Sequence, residues 1–174
     1  ASPFDMTYDF HDQTEKMKVV IMVSRFGHCL NDLLYRWRIG ALPIDIVAVV
    51  SNHMEYQKVV VNNDIPFHCI KVTAENKAEA EARIMAVVEE AGADLIVLAR
   101  YMQILSDEMC QKMSGRIINI HHSFLPSFKG ANPYKQAFQR GVKLIGATSH
   151  YVTADLDEGP IIEQDIVVVT HAQS

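Results

Sequence analysis

Cysteine is scarce in this sequence: Cys29, Cys69 and Cys110 are odd in number and far apart. They form neither a C-x-x-C pair nor the even, closely spaced framework of a disulfide scaffold. Long apolar runs are missing too, and none approaches the ~20 residues that span a bilayer. The first residues lack the charged stretch followed by an apolar one that marks a secretory leader, so a reduced, cytoplasmic setting is expected. Positive charge is not in excess, because 16 Lys and Arg stand against 21 Asp and Glu for a formal charge of -5. With no dense Lys/Arg run, a nucleic-acid phosphate grip and an anionic membrane partner are both disfavoured. What is present is ordinary for a globular domain. The 174 residues are 49% hydrophobic and 21% charged, which excludes disorder and collagen-like repeats and fits one domain.

Residues 1–16 mix aromatics with charges without a period and read as a linker or as the frayed tail of something upstream. From Lys18 the pattern sharpens. The run from Val19 to Ser24 is β-branched and apolar, the mark of a strand buried on both faces. The runs from Ile44 to Val50, Asp94 to Ala99 and Ile117 to His121 repeat it, with a shorter strand from Phe67 to Val72. Leu33, Leu34 and Trp37 recur at helical spacing between Asn31 and Arg38, before the stop signals Gly40 and Pro43. The segment from Asn76 to Ala91 is the clearest helix, with Ile84, Val87 and Val88 on its apolar side and Gly92 beyond its end. A weaker helix is expected over about 53–62. Ser106 opens another in the manner of a cap, and Tyr134 to Arg140 forms a further one. The segments from Leu144 to Val152 and Ile161 to Val169 read as strands. Buried strands alternating with amphipathic helices imply an α/β domain, its mostly parallel central sheet covered by helices on both faces. Loops at the carboxyl ends of such strands build the site, which points to the segments after Ser24, Ala99, His121 and Val152.

Polar residues without a structural reason cluster in the second half. Asn119 and His121 lie two apart on a strand and therefore face one side. An amide donor beside an imidazole suits stabilising an oxyanion and moving a proton at a carbonyl carbon. A turn-capping Asn119 and a satisfied core His121 account for the same residues. The Pro- and Gly-marked loop from Leu125 to Gly130 is either a lid or an ordinary connection. Asp155, Asp157 and Glu158 follow between two strands. Their spacing begins like a calcium loop but lacks its later ligands, leaving a solvated turn or a carboxylate that orients a histidine or a water. Ser123 lies near His121 but has no G-x-S-x-G elbow around it. His121 and His122, adjacent on a strand, point to opposite faces and make poor co-ligands even with His150, so no metal site is expected. His28 and Cys29 stand at the first strand–helix turn, where an anion is favoured. That turn has only Gly27 and matches no dinucleotide or phosphate-loop motif, so no cofactor of that kind is expected.

Taken together, Asn119-Ile120-His121, the Leu125-Pro126-Ser127 loop and Asp157-Glu158-Gly159-Pro160 resemble the formyltransferase-fold family that uses 10-formyltetrahydrofolate. The segments from Ser24 to Leu30, Leu98 to Ser106, Ile118 to Gly130 and Gly146 to Tyr151 are similar to its formyltetrahydrofolate deformylase branch. The resemblance covers roughly residues 4–170. It implies a Rossmann-like formyltransferase fold over residues 17–174, truncated at its C-terminal end, with residues 1–16 the linker from a missing ACT-like domain. It further implies Asn119, His121 and Asp157 as the catalytic trio. Met102, Gln103, Ile104 and Leu105 would line a pterin pocket, and the segment from Thr153 to Asp157, with Thr153, Ala154 and Asp155 as its folate-binding residues, would close its other side. Phe26, His28, His122 and His150 are candidates for the remaining wall, and Cys29 is the cysteine expected nearest the site. The activity implied is hydrolysis of 10-formyltetrahydrofolate to tetrahydrofolate and formate, with the folate as substrate and no separate cofactor. A homo-oligomer is expected on the same ground.

The rival reading is a glycinamide ribonucleotide formyltransferase, which passes the same formyl group to an amine. That branch grips a substrate phosphate with a G-x-G-S-N turn. Here the matching stretch is Arg25-Phe26-Gly27-His28-Cys29, and His122 replaces a proline, so water is favoured as acceptor. A methionyl-tRNA formyltransferase would need a basic RNA-facing surface, which the charge of -5 opposes. A non-catalytic folate sensor is the reading from another class, and retention of the whole trio weighs against it.

Overall fold

The structure is a computed structural model that describes residues 15–127 and 133–169. Its core is a sheet of seven strands: β1 (Met17–Val23), β2 (Ile44–Ser51), β3 (Phe67–Cys69), β4 (Leu95–Leu98), β5 (Ile117–His121), β6 (Leu144–Tyr151) and β7 (Ile161–Val168). They lie in the order β3-β2-β1-β4-β5-β6-β7. The first five are parallel, while β6 pairs antiparallel with β5, and β7 with β6.

Among the described residues five helices accompany them: α1 (His28–Arg38), α2 (Gln57–Val61), α3 (Lys77–Glu90), α4 (Asp107–Lys112) and α5 (Pro133–Gln139). Strand alternation sorts the apolar side chains of β1 to two faces. Val20 and Met22 join Ala80, Ile84 and Val88 of α3 and Met109 of α4. Val19, Ile21 and Val23 join Leu30 and Leu34 of α1 and Val60 of α2. The expected parallel sheet with helices on both faces is present in this half. On α3 the buried positions Ala80, Ile84 and Val88 recur every fourth residue, the stripe a core-facing helix needs. Gly92 follows with φ +58, a left-handed stop that glycine adopts without steric cost. At α4 the Ser106 hydroxyl accepts the Met109 N–H at 3.3 Å, as the cap reading required.

Several boundaries differ from expectation. α1 begins at His28 rather than Asn31, because Asn31 already donates to the Gly27 carbonyl at 2.8 Å. α2 is confined to five residues and β3 to three. The larger difference concerns β6. Because it runs antiparallel to β5, Val152 lies beside the start of β5, donating to the Ile117 carbonyl at 2.9 Å. The carboxyl-end rule therefore holds directly for β4 and β5, whereas the segment after Val152 leaves β6 at the other end of β5 and must turn back. No helix among the described residues is long and apolar enough to cross a membrane.

Candidate functional site

A cavity of about 440 Å³ opens beside β4, β5 and β6. One wall is the loop after β4. It is fastened to the end of β1, where the buried Ser24 hydroxyl accepts the Met102 N–H at 2.9 Å and the Ser24 N–H donates to the Arg100 carbonyl at 3.3 Å. That fastening turns Tyr101 and Leu105 into the core and leaves Met102 and Ile104 exposed at the cavity. Burial, with Glu81 nearby, pushes the Tyr101 phenol up to about 12. Apolar side chains left facing a concavity suit a flat aromatic ligand.

The opposite wall is the segment 153–157. After β6 delivers the chain to the far end of β5, this segment doubles back, and the Asp157 carboxylate comes within 3.4 Å of His121 Nδ1. Both side chains are 7% exposed. A close backbone approach makes the return possible: a Cβ on Gly159 would run into the Tyr151 carbonyl oxygen. Asn119 and His121 both line the cavity, as their spacing on β5 implied, and Asn119 Nδ2 is 3.3 Å from His150 Nε2. The site thus joins an amide, an imidazole and a carboxylate in surroundings largely closed to water, where electrostatic contacts are stronger than in solvent.

Met102, Gln103, Ile104, Leu105, Thr153, Ala154, Asp155, His122 and His150 also line this cavity. Phe26 and His28 do not. Phe26 lies outside it with the Arg100 guanidinium 5.0 Å above its ring, and His28 is exposed at the first turn of α1. His122 breaks the alternation argument that set it opposite His121. β5 ends at His121, so strand alternation no longer applies, and the two rings lie 5.6 Å apart. Burial, helped by His121 and Arg100, lowers the His122 pKa. Cys110, not Cys29, is the cysteine at the cavity, and burial raises its thiol.

Arg100 and Tyr101 are lining residues that the sequence reading did not select, while Leu156 falls inside the Thr153 to Asp157 segment that it did. Arg100 and Tyr101 directly follow β4, so the carboxyl-end rule already pointed to them. The Ser123 hydroxyl ties its own loop, donating to the Ser127 carbonyl at 2.9 Å. Thr148 braces the same loop, donating to the Ser123 carbonyl and accepting from Leu125 N–H. Residues 128–130, where the lid reading falls in part, lie outside the described residues. No group of three or more His, Cys, Asp or Glu suited to a metal occurs among the described residues.

Comparison with known proteins adds an independent line. A family model described as formyl transferase matches residues 17–174. A formyltetrahydrofolate deformylase of Corynebacterium sp. (strain P-1) is 53% identical over 98% of this chain and 60% of its own length. One from Bacillus subtilis (strain 168) is also 53% identical, over 98% of this chain and 57% of its own. The chain therefore spans little more than half the length of these curated relatives. The crystal structure of a formyltetrahydrofolate deformylase from Pseudomonas syringae superposes with a TM-score of 0.89 at 53% identity, covering 92% of this chain and 54% of that one. A phosphoribosylglycinamide formyltransferase from Anaplasma phagocytophilum gives 0.82 at 34% identity, covering 92% and 76%.

Proposed function

This chain belongs to the formyl transferase family, and from that premise we propose that it hydrolyses 10-formyltetrahydrofolate to tetrahydrofolate and formate. The observation that carries the reading is the buried contact of His121 with Asp157 beside Asn119. It occurs in a chain 53% identical to deformylases.

Water attacks the formyl carbon, the carbon–N10 bond breaks, and N10 takes a proton. Asn119 donates an N–H to the formyl oxygen as it gains charge, the work of an oxyanion donor. Asp157 orients the attacking water and supports the charge on His121, which carries the proton toward N10. Met102 and Ile104 on one side and Thr153, Ala154 and Asp155 on the other hold the folate. In this reading the folate is substrate, with no separate cofactor or metal. Neither nucleic acid nor membrane is a partner, the working form is a homo-oligomer, and the setting is the cytoplasm, in keeping with three free cysteines.

The formyltransferase neighbours raise the alternative of a phosphorylated amine acceptor. One contact weighs against it. The Gly27 N–H at the head of α1, where a helix terminus favours an anion, already donates to the Tyr56 hydroxyl at 2.7 Å. The Tyr56 ring also packs so closely on Gly27 that no Cβ would fit.

The test measures formate release from 10-formyltetrahydrofolate by the full-length protein, with and without glycinamide ribonucleotide. Asn119→Ala should lose on the order of 10²–10³ in rate, and His121→Ala about 10²–10⁴. Asp157→Asn should also lose activity while staying folded, since asparagine tolerates the left-handed backbone at this position. Turnover that depends on the ribonucleotide would overturn hydrolysis, and near-wild-type variants would overturn the assignments.

A further inference from the structure

Strand pairing creates one contact at the site that the chemistry above does not use. Asn119 on β5 stands directly opposite His150 on β6, and directly opposed side chains meet on one face of a sheet. His150 is 2% exposed, so its ring nitrogens take partners inside the protein. Nδ1 lies 2.9 Å from the Tyr151 carbonyl oxygen. A carbonyl oxygen only accepts, so Nδ1 carries the proton.

Nε2 meets the Asn119 amide nitrogen at 3.3 Å, and because an amide nitrogen donates and does not accept, Nε2 is the acceptor and carries no proton. Only the NH2 end of an amide donates. One of its hydrogens goes to His150, the second is left for another acceptor, and the side chain's two ends are no longer interchangeable. The reversed amide would set its oxygen against the bare Nε2, acceptor against acceptor. Asp157 Oδ1 also faces Nε2, but at 3.9 Å it is beyond hydrogen-bond reach and lies nearer His121.

We propose that His150 is a positioning residue: as the Nδ1-protonated neutral imidazole, it locks the Asn119 amide so that a donor, not its oxygen, meets the formyl oxygen. The role rests on the hydrolase reading, in which Asn119 is the oxyanion donor. A locked donor needs no reorganisation as charge develops, whereas a freely turning amide presents its repulsive end part of the time.

The experiment compares kcat and KM for formate release in wild type, His150→Leu, His150→Gln, Asn119→Ala and the Asn119→Ala/His150→Leu double variant. His150→Leu should lower kcat by on the order of 10–10² while KM changes little, a fraction of the loss of a whole oxyanion donor. His150→Gln keeps an acceptor for the amide and should recover most of that loss. In the double variant, His150→Leu should cost under about twofold beyond Asn119→Ala, because a residue acting through another is silent once the other is gone. Losses that multiply in the double variant, or a His150→Leu kcat within about twofold of wild type, would overturn the proposal. A readout independent of turnover is the ¹⁵N spectrum of wild-type histidines. His150 should appear at neutral pH as the Nδ1–H tautomer, and an Nε2-protonated or cationic ring would also overturn it. If wild type releases no formate, the hydrolase reading fails, yet that spectrum still judges the tautomer. It also decides the matter if His150→Leu does not fold.

Discussion

Arg100 and Asp157, on opposite sides of the cavity, hold φ of 63° and 57°, a region that side chains seldom enter. Such conformations persist where the surroundings over-determine them, commonly at functional sites. The sequence offered no sign of either angle. It did offer Asn119 and His121, because two residues of one strand with a single residue between them share a face whatever the rest of the fold does. The titration of His122 gives a test at this scale. Burial holds its pKa below the ordinary value, so the folded state favours the neutral ring. That stability is complete above about pH 6.5 and is lost as the pH falls through the folded pKa. Urea unfolding from pH 8 to 5 should therefore show His122→Gln losing less stability on acidification than wild type, with the two curves parallel above pH 7. Identical slopes below pH 6 would remove the effect.

Among the elements, the strands with near-continuous apolar runs were legible because burial on both faces leaves no alternation to misread. The helices α1 and α3 were legible through their stripes, though the start of α1 slipped by a turn. Strand direction was not legible. β6 alternates in burial like an ordinary strand, and nothing in such a pattern distinguishes parallel from antiparallel pairing. Direction matters here, since it sets His150 opposite Asn119 and forces segment 153–159 to double back before Asp157 can reach His121. Gly159 is the critical point of that return. Gly159→Ala drives a methyl into the Tyr151 carbonyl and should destabilise by about 1–3 kcal/mol or more in urea unfolding. It should also reduce formate release further than its stability loss explains, because it displaces Asp157. A variant with wild-type stability and turnover would show that the turn has room.

For the whole molecule, the middle of the sheet and its β7 edge differ. β1, inside the sheet, packs against helices on both faces, whereas β7 is an edge strand with Ile162, Ile166 and Val168 exposed among the described residues. Long apolar edge strands pair with other chains. The 174-residue chain alone should therefore associate with rising concentration in sedimentation experiments, and Ile166→Lys with Val168→Lys should suppress it. A monomer at every concentration would count against an adhesive edge. By itself the sequence determined the α/β class, the enclosed parallel strands, the shared face of Asn119 and His121, and through its motifs the family. Each depends on local periodicity or on short contiguous motifs. Only the tertiary structure decided the antiparallel turn of β6, the contact of Asp157 with His121 and the pairing of His150 with Asn119. It also put Phe26 and His28 outside the cavity and Cys110 at its wall. Those depend on register and close approach between segments distant in the chain, which no local pattern encodes.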